Sequence, residues 1–221
     1  MVGKRARLEL IKGWVKDCLF PKFCVGCKAE DLWLCDGCAG KIIKIKNTSS
    51  SEGKTVAHID RVMALFDYGE NIVSELIKLF KYNYITELTE VFRKIVNDIN
   101  IEFDDKNFMI MPVPLHARRQ RERGFNQSEI LAEIFAEKLH LQVNKDLRRV
   151  IFTQQQAALS AEKRLVNLKD AFAFDAVGQA VPERVLLVDD VFTTGATMSE
   201  CAKALKNKGV KTVYCLALAK G

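Results

Sequence analysis

The 221 residues are 48% hydrophobic and 28% charged with 12 Gly and 4 Pro, which excludes a collagenous, low-complexity or wholly disordered chain. That balance suffices for one globular domain with a small addition. Lys and Arg number 34 against 28 Asp and Glu, and the net charge of +6 suits phosphorylated partners or nucleic acid without requiring either.

The stretch 1–20 is basic (Lys4, Arg5, Arg7, Lys12), and Leu8, Ile11, Val15 and Leu19 recur at helical spacing. Charges interrupt this stripe, so it reads as a short amphipathic helix packed on its own domain and not as the continuous apolar block of a signal peptide. No apolar run approaches the ~20 residues of a spanning helix, so a cytoplasmic chain with no membrane span is expected.

Seven Cys is an odd number, which argues against a fully paired disulfide framework. Four of them fall between 24 and 38 as two C-x-x-C pairs, Cys24-Val25-Gly26-Cys27 and Cys35-Asp36-Gly37-Cys38. In each, Gly precedes the second Cys, where a tight turn aims both sulfurs at one point. Four thiolates fit tetrahedral Zn²⁺ and leave no open position, so the expected role is structural. A thioredoxin-type redox pair needs only one C-x-x-C in a βαβ context, which this segment lacks. Cys18, Cys201 and Cys215 read as packed or surface thiols.

A polar run over 46–55 (KNTSSSEGKT) has nothing large to bury. It places the N-terminal helix and four-cysteine zinc module at 1–45, a linker at 46–58 and the main domain at 59–221. Beyond it the patterns predict a strand over 61–66, helices over 72–80 and 88–99, and a strand over 108–113 ending at Pro112 and Pro114. A helix over 127–139, a strand over 185–188, a helix over 198–208 stopping near Gly209, and a strand over 212–218 follow. Continuous apolar strands spaced by helices imply an α/β fold, a mainly parallel sheet flanked by helices.

The sharpest chemical signal is Val185-Leu186-Leu187-Val188-Asp189-Asp190-Val191-Phe192-Thr193-Thr194-Gly195-Ala196-Thr197. A buried strand delivers Asp189 and Asp190 to its C-terminal edge, where open α/β sheets bind ligands. Thr193, Thr194, Gly195, Ala196 and Thr197 then lead into a helix. Small residues there let backbone N–H groups and Thr hydroxyls close around an oxyanion at the positive helix end. Carboxylates repel the same phosphate, so they suit neutral hydroxyls beside it or a cation; a sugar phosphate meets both demands. Neither G-x-x-x-x-G-K-[ST] nor G-x-G-x-x-G occurs, which argues against P-loop hydrolysis and dinucleotide hydride chemistry.

A second constellation follows the strand at 108–113: Arg118, Arg119, Arg121 and Arg123 crowd into six positions ahead of Gly124-Phe125-Asn126-Gln127. Guanidinium forks match phosphate oxygens, so the cluster suits a pyrophosphate leaving group or a nucleic-acid backbone, against the plainer reading of a solvated basic loop. His58, His116 and His140 read as ordinary polar residues.

The run 185–197 resembles the phosphoribosyl-pyrophosphate (PRPP) signature of type I phosphoribosyltransferases, in which an acidic pair precedes a T-T-G-type loop. That resemblance implies that Asp189 and Asp190 hold the ribose hydroxyls and that the Thr193 to Thr197 loop holds the 5′-phosphate. With the paired C-x-x-C unit ahead, PVPLH…RRQRERGFNQ in the middle and VDDVFTTGAT near the end, the whole chain resembles the ComF family, competence-associated phosphoribosyltransferase-like proteins. The segment 153–167 and Ala171-Phe172-Ala173-Phe174 extend the likeness. Two departures stand out. Some relatives carry further Cys before the first strand, absent here, which limits the expectation to one zinc. Gln154 and Gln155 also occupy places where relatives often have Pro.

The resemblance implies a type I phosphoribosyltransferase-like fold and a pentosyl transferase that uses PRPP with Mg²⁺. It also implies a setting in DNA uptake, with a homodimer expected only by analogy to other proteins of this fold. The alternative is a non-catalytic protein of the uptake machinery that grips single-stranded DNA or a protein partner through the basic segment and zinc module.

Overall fold

The computed structural model describes residues 21–45, 56–81, 85–101, 103, 107–151, 170–176 and 180–221. The expected helix over 1–20 with Cys18, the linker over 46–55 and the family-like segment 153–167 with Gln154 and Gln155 lie outside the described residues.

A one-turn helix α1 (Asp36–Ala39) belongs to the Cys module. It is followed by β1 (Arg61–Asp67), α2 (Asn71–Phe80), α3 (Ile85–Asn97), β2 (Met109–Pro112), α4 (Ala117–Arg123) and α5 (Gln127–Leu139). Then come β3 (Gln142–Val143), β4 (Leu147–Arg149), β5 (Phe172–Phe174), β6 (Arg184–Phe192), α6 (Ala196–Asn207) and β7 (Thr212–Lys220). Five strands form one sheet in the order β1-β7-β6-β2-β3, every pairing parallel, and β4 pairs with β5 as an antiparallel ribbon. Among the described residues no helix is long and apolar enough to cross a membrane.

Side chains alternate across the central strands and so feed two cores. Leu186 and Val188 of β6 pack with Ile110, Leu216, Leu218 and, from α5, Leu131, Ile134 and Phe135. Val185 and Leu187 face the other way, onto Met198, Cys201 and Leu205 of α6 with Met111, Val213 and Cys215. Cys201 and Cys215 are therefore packed core thiols, both with no solvent exposure.

The connection after β2 runs outward through α5 to β3, whereas the connection after β6 runs through α6 to β7 on the opposite side. A crevice opens outside the carboxyl ends of two neighbouring parallel strands wherever their connections diverge. Proline chemistry widens it here. The last rung between β2 and β6 joins Pro112 and Val188, with Val113 N–H donating to Val188 O, and Pro114 then turns the chain away. Strand β6 continues to Phe192 beside β7 alone. Its Asp189 and Asp190 thus lie on an edge that β2 has vacated.

The Cys module is built into the main domain. Trp33 and Ile42 join the same buried cluster as Met63, Leu65 and Phe92. Trp33 Nε1 donates to Glu87 Oε2 at 2.7 Å, Lys94 holds Asp36 at 2.6 Å, and Lys44 Nζ donates to Asp98 O at 2.9 Å. Lys44 bridges Phe66 in antiparallel fashion and Ile45 N–H donates to Leu65 O, so the module covers the outer edge of β1. Val56, from the stretch read as linker, packs against the second core, and Ala57 O accepts from Ser199 Oγ. Exposed ion pairs contribute little, so the apolar contacts of Trp33 and Ile42 carry the docking.

Trp33→Ala is accordingly expected to lower the stability of the whole domain by about 3–5 kcal/mol in denaturant unfolding followed at a probe in β6. An unchanged main transition would show the module to be an independent appendage.

Candidate functional site

The four Cys Sγ atoms of the module lie within 4.8 Å of one another, with Cys27 and Cys35 Sγ at 3.6 Å. For a metal–sulfur length of about 2.3 Å, tetrahedral geometry separates sulfurs by a little under 4 Å, so the cluster could hold a metal ion of the zinc kind. Backbone amides turn inward as well: Cys35 N–H donates to Cys24 Sγ and Cys38 N–H to Cys35 Sγ, both at 3.4 Å. Burial raises the Cys24 thiol, but backbone donors from Cys27, Cys35 and Gly26 outweigh it and draw it down to about 6. The crowded sulfurs of Cys35, Cys24 and Cys27 together with burial push Cys38 up to about 12, so without a cation the cluster does not carry all four thiolates at neutral pH. The two glycines differ in their work. A Cβ on Gly26 would sit 2.6 Å from Cys38 Sγ, whereas one on Gly37 would meet nothing nearer than Cys35 Sγ at 4.0 Å. Only Gly26 is demanded by the approach of the sulfurs.

At the other end of the chain, the crevice between β2 and β6 is a pocket of about 120 Å³ lined by Val113, Pro114, Arg119, Arg123, Gln127, Asp189 and others including Thr197. Strand alternation sends Asp189 and Asp190 to opposite sides of β6, yet both border this cavity. Asp189 Oδ1 accepts from Ser128 Oγ at 2.7 Å and from Asp190 N–H at 2.9 Å. Asp190 Oδ2 is held by Lys81 Nζ at 2.9 Å, from the residue that ends α2. Burial first, then the neighbouring Asp190 carboxylate, pushes the Asp189 carboxyl up to about 7, against the opposing pull of Ser128 and Lys81.

The opposite wall is cationic. Helix α4, capped by His116 Nδ1, carries Arg119 and Arg123 into the pocket. Arg149, at the end of β4, joins them with its guanidinium 5.4 Å above the Phe172 ring. Burial and then Arg123 lower the basicity of Arg119; burial and then Arg119 do the same to Arg149. Crowded guanidiniums that repel one another in a half-buried wall are relieved by an anion.

The loop from Thr193 to Thr197 closes the remaining side only in part. Thr193 and Thr194 are exposed, Thr194 Oγ1 accepts from Ala196 N–H at 3.4 Å, and Thr197 alone of the five lines the cavity. Gly195 begins α6 at φ +76°, and a Cβ there would lie 2.7 Å from Phe192 Cζ and 3.1 Å from Val56 Cγ1, so both conformation and space require glycine. The first intrahelical bond of α6 is Ser199 N–H to Gly195 O, which leaves the Thr197 and Met198 amides of the first turn without an acceptor inside the helix.

Of the four expected arginines the pocket gathers Arg119 and Arg123. Arg118 turns to Glu122 on the outer face of α4, its Nε 3.0 Å from Oε1, and Arg121 is exposed outside the pocket. Sequence reasoning missed Lys81, Arg149, Ser128 and Gln127. Lys81 and Arg149 reach the site from distant points of the chain with no local motif, whereas Gln127 and Ser128 stand at a predicted helix start just past the basic run.

Comparison with known proteins agrees with this architecture. A family model described as the phosphoribosyl transferase domain matches residues 126–221. Competence protein F of Haemophilus influenzae is 41% identical over 113 residues, which cover 50% of this chain and 49% of that protein, about half its length. DNA utilization protein YhgH of Escherichia coli K12 is 32% identical over 167 residues, 71% of either chain. The chain belongs to the ComF family. Competence protein ComFC of Bacillus subtilis, 29% identical over 148 residues, covers 66% of this chain and 58% of its own. The fold is that of the phosphoribosyltransferases, a mainly parallel sheet flanked by helices, preceded by the four-cysteine cluster.

Two outcomes check this geometry. Gly26→Ala is expected to reduce the metal content of freshly purified protein by elemental analysis, with Gly37→Ala retaining it. Asp189, protonated to about pH 7 when folded, releases its proton near pH 4 when unfolded. Between those values the folded chain binds more protons, so this group's contribution to stability falls as pH rises from about 4 to about 7 and is level above. Thermal melts across that window should show a shallower decline in Asp189→Asn than in the parent.

Proposed function

We propose that the pocket between β2 and β6 binds PRPP with Mg²⁺ and that the chain transfers or exchanges a phosphoribosyl group. The observation that carries this reading is the acid pair of β6 facing the Arg119, Arg123 and Arg149 wall across one cavity. Such a cavity fits a ligand with neutral hydroxyls on one side and phosphoryl oxygens on the other. Asp189 and Asp190 accept from the ribose hydroxyls, and the first turn of α6 with Thr193 to Thr197 faces the 5′-phosphate.

In the reaction the bond from the anomeric carbon to pyrophosphate breaks and a bond to the acceptor forms. Pyrophosphate departs with the electron pair while positive charge builds on the ring. The arginine wall and Lys81 are already in place to stabilise the departing anion, and the carboxylates fix the sugar. Mg²⁺ supplies charge neutralisation when it arrives with the diphosphate. Asp189 Oδ1 and Asp190 Oδ2 already accept from protein donors, so substrate oxygens and water would supply most of its ligands. No side-chain nucleophile is required.

The names of the relatives, competence and DNA utilization proteins, support a setting in DNA uptake. The four-cysteine cluster takes a structural Zn²⁺ in this reading. It offers no open coordination position, and it holds the fold of the segment that carries Trp33 into the core.

A hundredfold excess of PRPP over its Kd with Mg²⁺ should stabilise the protein by about 2.7 kcal/mol, or roughly 5–10 °C in a chain of this size. Asp189→Asn/Asp190→Asn should lose that shift. No ligand-dependent shift in the parent would remove the reading.

One observation favours a second, compatible role. Helix α4 buries no residue and directs Arg118 and Arg121 away from the pocket. If that outer face contacts single-stranded DNA, affinity for an oligonucleotide should fall steeply with salt, and Arg118→Ala/Arg121→Ala should reduce the log–log salt slope by roughly 1–2. A flat salt response in the parent would dismiss the contact.

A further inference from the structure

Helix α5 begins inside the pocket, and its first residue is placed unusually. Gln127 is only 2% exposed and lines the cavity beside Arg119, Arg123 and Ser128. Its Oε1 accepts from Arg123 Nη1 at 3.1 Å. A guanidinium can only donate, so this contact fixes the amide orientation: oxygen toward Arg123, nitrogen away from it. The Nε2 group so oriented is fully buried and finds no hydrogen-bond partner among the described residues. Leaving a buried NH₂ unmade forfeits its hydration for nothing in return, so in a native site such a group is completed by an acceptor from water, an ion or a ligand.

The surroundings specify the missing acceptor. The helix start is pinned by Asn126, whose Nδ2 donates to Val113 O at 3.1 Å and whose Oδ1 accepts from Ser128 N–H at 3.1 Å, so Gln127 is held against the end of β2. Ser128 Oγ is committed to Asp189. Gln127 shares its pocket with the guanidiniums of Arg123, its hydrogen-bond partner, and Arg119, which attract an anionic oxygen and donate as Nε2 does.

We infer that Gln127 is a substrate-contacting donor for the diphosphate of the ligand, its Nε2 aimed by Arg123 at a phosphoryl oxygen. The residue thereby favours a diphosphorylated sugar over a sugar that carries only the 5′-phosphate. This deepens the ribose-phosphate reading of the same pocket and rests on it for the sugar half alone.

The test is calorimetric titration of the full chain with inorganic pyrophosphate plus Mg²⁺ and, separately, with ribose 5-phosphate. Gln127→Glu keeps an acceptor for Arg123 and removes the donor; it is expected to weaken pyrophosphate about tenfold or more and to change ribose 5-phosphate by less than about twofold. Gln127→Met, close in volume and without charge, should lose pyrophosphate affinity in the same direction, and it supplies the comparison should the Glu variant fold poorly. Unchanged pyrophosphate affinity in both variants, or an equal loss for both ligands, overturns the assignment. A parent chain that binds pyrophosphate and not ribose 5-phosphate would sink the ribose reading while leaving the Gln127 donor intact. A parent that binds neither would end both.

Discussion

The site depends on one strand outrunning its neighbour. Strand β2 makes its last rung at Pro112 and leaves the sheet by Pro114, while β6 runs on to Phe192 along β7. Had β2 kept pace, the backbone beside Asp189 and Asp190 would be paired and covered, and two carboxylates would face a packed wall. Instead the vacated edge becomes a cavity. The polypeptide that filled the place of β2 returns as α4 and the start of α5, bringing guanidiniums to within one small pocket of the acids. Connections that diverge on either side of β2 and β6 make this the natural crevice of the sheet.

Charge within that crevice is balanced and not neutralised. Asp190 has Lys81, and Asp189 has the hydroxyl of Ser128 and a backbone N–H. Neither acid is paired with the arginines opposite in the contacts that hold it. The result is two populations of like charge, each held by its own scaffold: an acid pair in which burial raises Asp189 toward neutrality, and a cationic wall in which burial and a neighbouring guanidinium lower the basicity of Arg119 and Arg149. Lys81 and Ser128 occupy the acids and anchor them on their own side of the pocket.

The layout was legible in the sequence where a local pattern carried it. Apolar runs gave β1, β2, β6 and β7, the amphipathic stripes gave α2, α3, α5 and α6, and C-x-x-C spacing gave a cluster whose sulfurs do converge. The basic run from Arg118 to Arg123 was visible as charge but not as helix, since α4 has no buried face and therefore no apolar period to read. Strands β3, β4 and β5, two or three residues each, are too short to establish a period. Lys81 and Arg149 escaped for a different reason. Each is one basic residue at the end of an ordinary element, and only the sheet order brings the ends of α2 and β4 to the acids of β6. The same logic governs the five-residue loop: its composition announced an anion cradle, yet which of its members faces the cavity is decided by the left-handed turn at Gly195, and that turn presents Thr197.

The Cys module enters this arrangement from the far edge. It docks on β1 and α3, whereas the pocket lies between β6 and β2, and none of the module's described residues lines that pocket. Its link to the pocket is through the core. Trp33 and Ile42 share a buried cluster with Phe80, the residue that precedes Lys81, and the Phe80 ring packs at a tilt against Phe92 of α3, centroids 4.9 Å apart. Close-packed interiors transmit displacement because they have no slack. Loss of the module's fold would loosen the end of α2 first and with it the ammonium that keeps Asp190 from the arginine wall. A four-sulfur cluster that could hold a metal and the pocket beyond α2 are thereby joined through one shared apolar core, which accounts for the cluster being built into a phosphoribosyltransferase fold and not tethered beside it.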